Sequence, residues 1–533
     1  MPPSSRKVET ENAHSCHRVP RALHSGPQVS PLPSHPGPIK VQGEMPCPTP
    51  DAPSPERAFN VTALKWHSCA WLLLPVLIFM AGWMHWYIAF PLALLLAAGL
   101  MIPGRKKSPA KPPLPAFPLF TRSSFPALAA FIALMVLSGW GEWVNQHPDH
   151  IVRNACLSEL VTSPWPVVFP DGDVLIYNTG FWLVPALAGK LAGLDAARAL
   201  LVLWGAWGLF LSWLWLCVFS GRRSLMLALL MVMFGSLLNL QCGLGLDTLR
   251  LHYFGTAEQI MCSANASIPV MLFFIFLASG RMPVNWLPLL FAATAFYSPL
   301  AAIGGLPLAV CQWLRQWKDN RFSRRILLHP SFSAAVILGM CFLLYYMAVN
   351  APSSQMGIRG FYTRPGDFLL VGTSFLLYAL FCWRDFRRNP LFICTLATGL
   401  ALPFFYINGD ANDLLCKGCV PVMSCMLAFL AATWIWHPGH RIWIGLVLAL
   451  GLAPILNIPY YCCSFSSCQT YLAPPDPDKK PPSLLLREWR QLTYAPQARH
   501  QDEWGQTMHH PGHRWYPYYS GTPRPWLRFI YRF

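Results

Sequence analysis

What most constrains this chain is the recurrence of apolar runs from Leu72 to Tyr460, separated by short polar or basic connections. Several approach the ~20 apolar residues that an α-helix needs to cross a hydrocarbon core. With 54% apolar and only 12% charged residues, there is too little polar surface for an ordinary soluble protein of this length. The pattern predicts an all-α fold, a polytopic transmembrane helix bundle.

Charge then sets the expected orientation. A formal balance of +17 would suggest nucleic acid in a soluble chain, but here Lys and Arg fall mostly in short connections and in the tails. That is the distribution the positive-inside rule requires, so the expected partner is the lipid bilayer and no nucleic acid. Arg105-Lys106-Lys107, with Lys111 and Arg122, marks the cytoplasmic side, as do Arg315, Lys318, Arg321, Arg324 and Arg325, and then Arg384, Arg387 and Arg388. Spans are expected at 69–81, 86–102, 125–141, 200–219, 225–240, 268–279, 286–298, 300–313, 333–349, 368–383, 391–407, 420–436 and 442–460, about 13 in all. This topology puts the N-terminus in the cytoplasm and the C-terminus outside it, in a bacterial inner membrane. Pro269, Pro299 and Pro403 interrupt these runs, which is tolerated where neighbouring helices or a cavity satisfy the freed backbone groups.

The stretch 177–190 is apolar but only about 14 residues long, short of a full crossing. If it crossed, Arg222-Arg223 would face outward, so it is expected to lie as an interfacial helix. Residues 1–60 are rich in Pro, Ser and His and are expected to be disordered. They hold no apolar signal-peptide core, so the first span would direct insertion. Residues 61–460 form the expected transmembrane domain with its outer loop at 142–196, and 461–533 an extracytoplasmic aromatic and basic tail.

In this topology four polar patches meet on the outer face: Asp149 to Asp173, Asp247 to Asn265, Gly409 to Asp413, and the C-terminal tail. Ionisable groups near membrane depth are costly and point to function. The first patch reads Asp149-His-Ile-Val-Arg-Asn-Ala-Cys-Leu-Ser-Glu-Leu160, followed by Pro164-Trp165-Pro166. Asp149 and Arg153 are four apart and would share one face of a helix.

Asp149, Asn154-Ala155, Leu157, Glu159-Leu160 and Pro164-Trp-Pro-Val167 resemble the first outer loop of bacterial membrane proteins of the GT-C glycosyltransferase-like group, many of them uncharacterised. In these an Asp opens a juxtamembrane helix and a Trp-Pro turn follows. The likeness continues through Gly180-Phe-Trp-Leu-Val-Pro185 with Gly189-Lys190, Gly245-Leu-Asp247 with Asn265, Tyr297-Ser-Pro-Leu-Ala-Ala-Ile-Gly304, and Gly409 with Asn412-Asp413 and Pro421. It covers roughly 125 to 430. Arg153 and Val152 depart from the group's pattern, where His and Lys are frequent, which bears on substrate specificity.

The resemblance implies transfer of a sugar from a polyprenyl-phosphate donor to an extracytoplasmic envelope glycan or glycolipid. Asp149 is the candidate catalytic base, a role worth ~100 to 10,000-fold. The leaving lipid phosphate asks for cations, with Arg153, Arg250, His252 and Lys417 as outward-facing candidates. Asp247, Asn265, Asn412 and Asp413 complete the candidate substrate and donor site. No cofactor is required by these residues, and a divalent cation is left open.

Blander readings stand beside these. Asp149, after Pro148, suits a helix N-cap, and Asn412-Asp413 equally suits a cap. Glu142 and Glu159 read as solvated charges or ion-pair members. The segment 247–258 suits an interfacial helix with an aromatic anchor. Cys416-Lys-Gly-Cys419 lacks the second ligand pair of a structural zinc site, so free thiols are expected. One local disulfide is expected among Cys462, Cys463 and Cys468. His509, His510 and His513 lack a completing ligand and read as solvated, while 516–533 is expected to pack on the outer mouth or the lipid headgroups. Two other function classes remain: a transporter or flippase of a lipid-linked or amphiphilic substrate, and a non-catalytic envelope assembly protein.

Overall fold

The computed structural model describes residues 55–102, 122, 124–144, 150–169, 172–235, 253–320, 323–348, 356–358, 365–407, 413–437, 520–521 and 523–533. They form an all-α bundle with two short two-stranded ribbons. In chain order the helices are α1 (Pro55–Trp83), α2 (Trp86–Met101), α3 (Ser124–Leu137), α4 (His150–Thr162), α5 (Gly180–Ala192), α6 (Leu194–Ser220) and α7 (Leu225–Met233). They continue as α8 (Thr256–Ala278), α9 (Trp286–Tyr297), α10 (Pro299–Asp319), α11 (Arg324–Leu327), α12 (Pro330–Tyr346), α13 (Pro365–Phe386), α14 (Pro390–Ala401) and α15 (Asp413–Trp436). Strand β1 (Val174–Leu175) pairs with β4 (Ser520–Gly521), and β2 (Met356–Ile358) with β3 (Phe405–Ile407), both antiparallel.

Helices lie over part or all of the first twelve stretches expected as spans, while 442–460 lies outside the described residues. Among the described residues, four helices are long and apolar enough to cross a membrane: Val61–Trp83, Leu194–Ser220, Thr256–Ala278 and Asp413–Trp436. At 1.5 Å per residue, the 27 residues of α6 extend about 40 Å.

The turns between helices follow from local chemistry. Ser298, His329 and Asn389 each precede a proline, and each side chain accepts the backbone N–H two or three residues on. The cap satisfies one orphan donor and the proline at the first helical position loses nothing by lacking its own. Pro299 therefore starts α10 instead of breaking a span. Pro269 lies inside α8, and that helix is broken upstream of it at Ser263, whose φ is −156° and ψ 46°.

Helix ends sort into two groups, joined by side chain to backbone bonds. At one end Arg223 donates to Ser124 Oγ (2.9 Å), His329 to the carbonyl of Ile102 (3.2 Å), Gln316 to that of Met282 (3.2 Å) and Trp436 to that of Ser220 (3.2 Å). This end carries Arg222, Arg223, Arg281, Arg315, Lys318, Arg324, Arg325, Arg384, Arg387 and Arg388. At the other, Trp140 donates to the carbonyl of Ile260 (2.8 Å) and Asn178 to that of Tyr297 (2.7 Å).

Between the ends, small residues set the helix spacing. Gly304 of α10 lies against the backbone of Gly418 on α15, and Gly208 of α6 lies under Ile268 and Trp71. The Trp71 ring stacks on Trp204 at 4.9 Å while its indole N–H donates to the carbonyl of Trp204.

The stretch 177–190, expected to lie as an interfacial helix, holds α5, which runs antiparallel along the first half of α6. Gly189 faces Ala197 and Phe181 faces Gly205, and the two helices are joined through Gly193 alone, at φ 90°. Glycine at 189 and 205 permits the close approach, and the hairpin buries Phe181, Trp182 and Leu183 among α1, α4 and α6.

Candidate functional site

The polar end is built from α4, the 174–179 connection and the N-terminal halves of α8 and α15. Helix α4 starts at His150, the residue after Asp149, which itself lies outside the described residues. His150 is buried, donates through Nε2 to the carbonyl of Met261 at 2.8 Å, and meets Trp140 edge to face at 4.7 Å. One turn on, Arg153 is only 7% exposed, with its guanidinium 5.8 Å from the Trp140 ring. A guanidinium withdrawn from water this far is costly unless it faces an aromatic surface or an anion. At the far end of α4 the Lys190 ammonium donates to the carbonyls of Ser163 (2.5 Å) and Val161 (3.3 Å), and lies over the Trp165 ring. It caps the helix, and partial burial holds its pKa below the ordinary lysine value.

The second wall comes from α8 and α15. Gln259 donates to the carbonyl of Cys416 at 2.6 Å, tying the two helices together. Ser263 donates to Gln259 Oε1 (3.0 Å), and Ser267 to the carbonyl of Ser263 (2.8 Å), so a buried polar ladder spans the break in α8. Asn265, beside the break, is 2% exposed, and its Oδ1 has no hydrogen-bond partner among the described residues. In α15, Lys417 lies one turn from Asp413 at 3.8 Å, and the two side chains are 31% and 34% exposed.

Tyr177 is held in place by α12. The Tyr345 hydroxyl donates to the carbonyl of Tyr177 (3.2 Å) and accepts from its N–H (3.3 Å). Behind the site, Tyr253 donates to the carbonyl of Gly399, and burial pushes its phenol well above the ordinary value, so it stays a neutral donor.

Of the nine residues expected at the site, Arg153, Asn265, Asp413 and Lys417 are described. Asp413 and Lys417 form a pair one turn apart, and Arg153 lies on α4, which is bonded to the same turn of α8 as the α15 helix that carries them. Asp149, Asp247, Arg250, His252 and Asn412 lie outside the described residues, as do the cysteines at 462, 463 and 468 and the histidines at 509, 510 and 513. Cys416 and Cys419 are free thiols on α15. Glu142 is an ion-pair member, bonded to Arg198 at 2.6 Å. Tyr177 and Gln259 were not singled out from sequence: each opens an apolar run, where a polar residue looks like a helix start. No three His, Cys, Asp or Glu side chains gather for a metal among the described residues.

The site and fold together define an α-helical protein with membrane-spanning character and a polar, cation-bearing end. Compared with protein-family models, curated proteins and solved structures, the chain matches none. Its function is argued from its own residues.

Proposed function

We propose that this chain is a multi-pass GT-C-like glycosyltransferase of a bacterial inner membrane, with about 13 spans, its N-terminus cytoplasmic and its polar end extracytoplasmic. It would move a sugar from a polyprenyl-phosphate donor to an envelope glycan or glycolipid. The observation that carries this reading is that the helix beginning directly after Asp149, which holds the buried Arg153, and α15, which holds Asp413 and Lys417, are both bonded to one turn of α8, at Met261 and at Gln259. A phosphate bound at this end would face two cations, the buried Arg153 and Lys417, the second of them one turn from Asp413.

In the proposed step the acceptor hydroxyl oxygen attacks the anomeric carbon and its proton passes to the Asp149 carboxylate. The bond from that carbon to phosphate oxygen breaks, and the polyprenyl phosphate leaves with its charge facing Arg153 and Lys417. The orientation rests on the cations gathered at the opposite end, which the positive-inside rule places in the cytoplasm.

The test is the lipid-linked sugar and envelope-glycan profile, by mass spectrometry, of a deletion strain restored with wild type or with Asp149→Asn at equal expression. Wild type alone should clear an accumulated polyprenyl-phosphate sugar. If both chains do so, Asp149 is a helix cap; if deletion changes nothing, transfer is the wrong chemistry.

A second reading, transport of a lipid-linked or amphiphilic substrate, is favoured by the broken helix α8 with its unpaired Asn265 carbonyl, a feature of discontinuous transporter helices. Substrate movement across vesicles that persists in Asp149→Asn and is lost in Asn265→Leu would select it.

A further inference from the structure

The last residues of the chain form a strap whose two faces differ in chemistry. Its inner face is part of the bundle: Leu527 and Tyr531 are fully buried, and Tyr531 donates to the carbonyl of Cys341 while its ring meets Phe79 and Tyr345. The backbone N–H of Arg532 donates to the carbonyl of Trp83 at 2.9 Å, and its guanidinium donates to the carbonyls of Ala81 and Gly82. These are last-turn carbonyls of α1, which otherwise have no partner within the helix.

The outer face is apolar and cationic. Trp526, in the 3-10 turn Pro525–Phe529, is 52% exposed and Phe529 is 71% exposed. Beside them stand Trp86 at 78% and Phe90 at 62%, from the start of α2. The two segments are 440 residues apart in sequence yet make one surface. Tyr87 donates to the carbonyl of Phe529 at 2.7 Å with its ring 5.9 Å from the Phe529 ring, and His85 donates to the carbonyl of Arg528 at 2.9 Å. Arg528 itself is exposed, and residues 504–533 hold no Asp or Glu. The patch starts where the apolar stretch Val61–Trp83 stops, and with that stretch read as a span this is the depth at which hydrocarbon gives way to headgroups. Aromatic rings favour that depth, and a cation there faces lipid phosphate.

We infer that the outer face of the C-terminal strap, together with the start of α2, is a binding surface for anionic phospholipid headgroups. The inference rests on the membrane reading and not on sugar transfer. It assigns the strap a second task besides closing the end of α1.

The test uses the full chain with the photoreactive residue benzoylphenylalanine in place of Trp526, reconstituted in vesicles of equal parts phosphatidylglycerol and phosphatidylcholine. After illumination, mass spectrometry should find adducts with phosphatidylglycerol several-fold more often than with phosphatidylcholine. Adding Arg528→Gln should lower that preference about fivefold, the effect of one cation at an anionic surface. Arg528 points outward, so its replacement leaves the fold unchanged, and Arg315→Gln at the other end should leave the preference intact. Equal labelling of the two lipids, an adduct with protein alone, or an unaltered preference in Arg528→Gln would overturn the inference. A chain washed from membranes by alkaline carbonate would instead sink the membrane reading on which it stands.

Discussion

The two ends of the bundle carry cations in opposite ways. At the basic end Arg222, Arg315, Lys318, Arg324, Arg325, Arg384, Arg387 and Arg388 are exposed, on helix ends and the short connections between them, where Ser224, His329 and Asn389 cap the helices that follow. At the polar end Arg153 is buried, Arg198 sits in an ion pair with Glu142, and Lys417 is paired with Asp413. A solvated cation on a connection costs little and supports orientation alone. A cation drawn under a helix costs solvation free energy, so it implies a partner worth that cost. The difference separates charges left in solvent from charges drawn into the bundle.

The largest expected effect comes from loosening the wall between these ends. Gly304 allows α10 to lie on α15, and a Cβ there would overlap the backbone of Gly418, which cannot retreat as a side chain would. Gly304→Val should cost about 3 kcal/mol or more and displace the helix that carries Lys417. Unfolding in detergent, followed by denaturant midpoint, checks it; a wild-type midpoint would mean that the two helices are not in contact there.

Next comes the same substitution made at both ends. Arg153→Gln should lower sugar transfer about 100-fold, as loss of a positioned charge beside a reacting phosphate does. Arg315→Gln, which loses one exposed hydrogen bond to Asn389 at 3.2 Å, should stay within about 0.5 kcal/mol of wild-type stability and keep full activity. Equal losses at the two positions would erase the distinction between the ends.

Much of this was legible in the sequence because charge and hydropathy are local properties. The apolar stretch 200–219 lies within one helix. Relations between helices were not legible. The antiparallel run of α5 along α6 depends on Gly189 and Gly205 each meeting a partner on the other helix, and no periodicity within one segment reports that. Tyr177 belongs to the site through Tyr345, 168 residues away. Pro269 marks a disturbed helix, but the break falls at Ser263, where the serine ladder can satisfy the freed backbone.

A smaller effect probes how the outer connection is fastened. The Glu142–Arg198 pair, with side chains 15% and 17% exposed, joins the end of α3 to α6, while the second partner of Arg198, Asp195, is 96% exposed. Glu142→Gln should therefore cost about 2 kcal/mol, between the values for exposed and buried pairs. Paired with Arg198→Gln in a double-mutant cycle, it should show a coupling well above that of Asp195 with Arg198. A vanishing coupling would make this pair as weak as the surface charges at the basic end.

The smallest effects come from two helix glycines of opposite sign. Gly339, in α12, has nothing within 4 Å of where a Cβ would stand, so Gly339→Ala should raise stability by about 0.5 to 1 kcal/mol through lower unfolded-state entropy. Gly399, at the polar end of α14, lies against the Phe375 ring, and its carbonyl accepts from Tyr253. Alanine there must move the ring or the helix, and the Tyr253 bond with it, so Gly399→Ala should lower stability. Thermal midpoints of the two variants decide the point: two gains would mean that the polar end is packed as loosely as the lipid-facing side of α12, and its buried hydrogen bonds could not then hold a site in place.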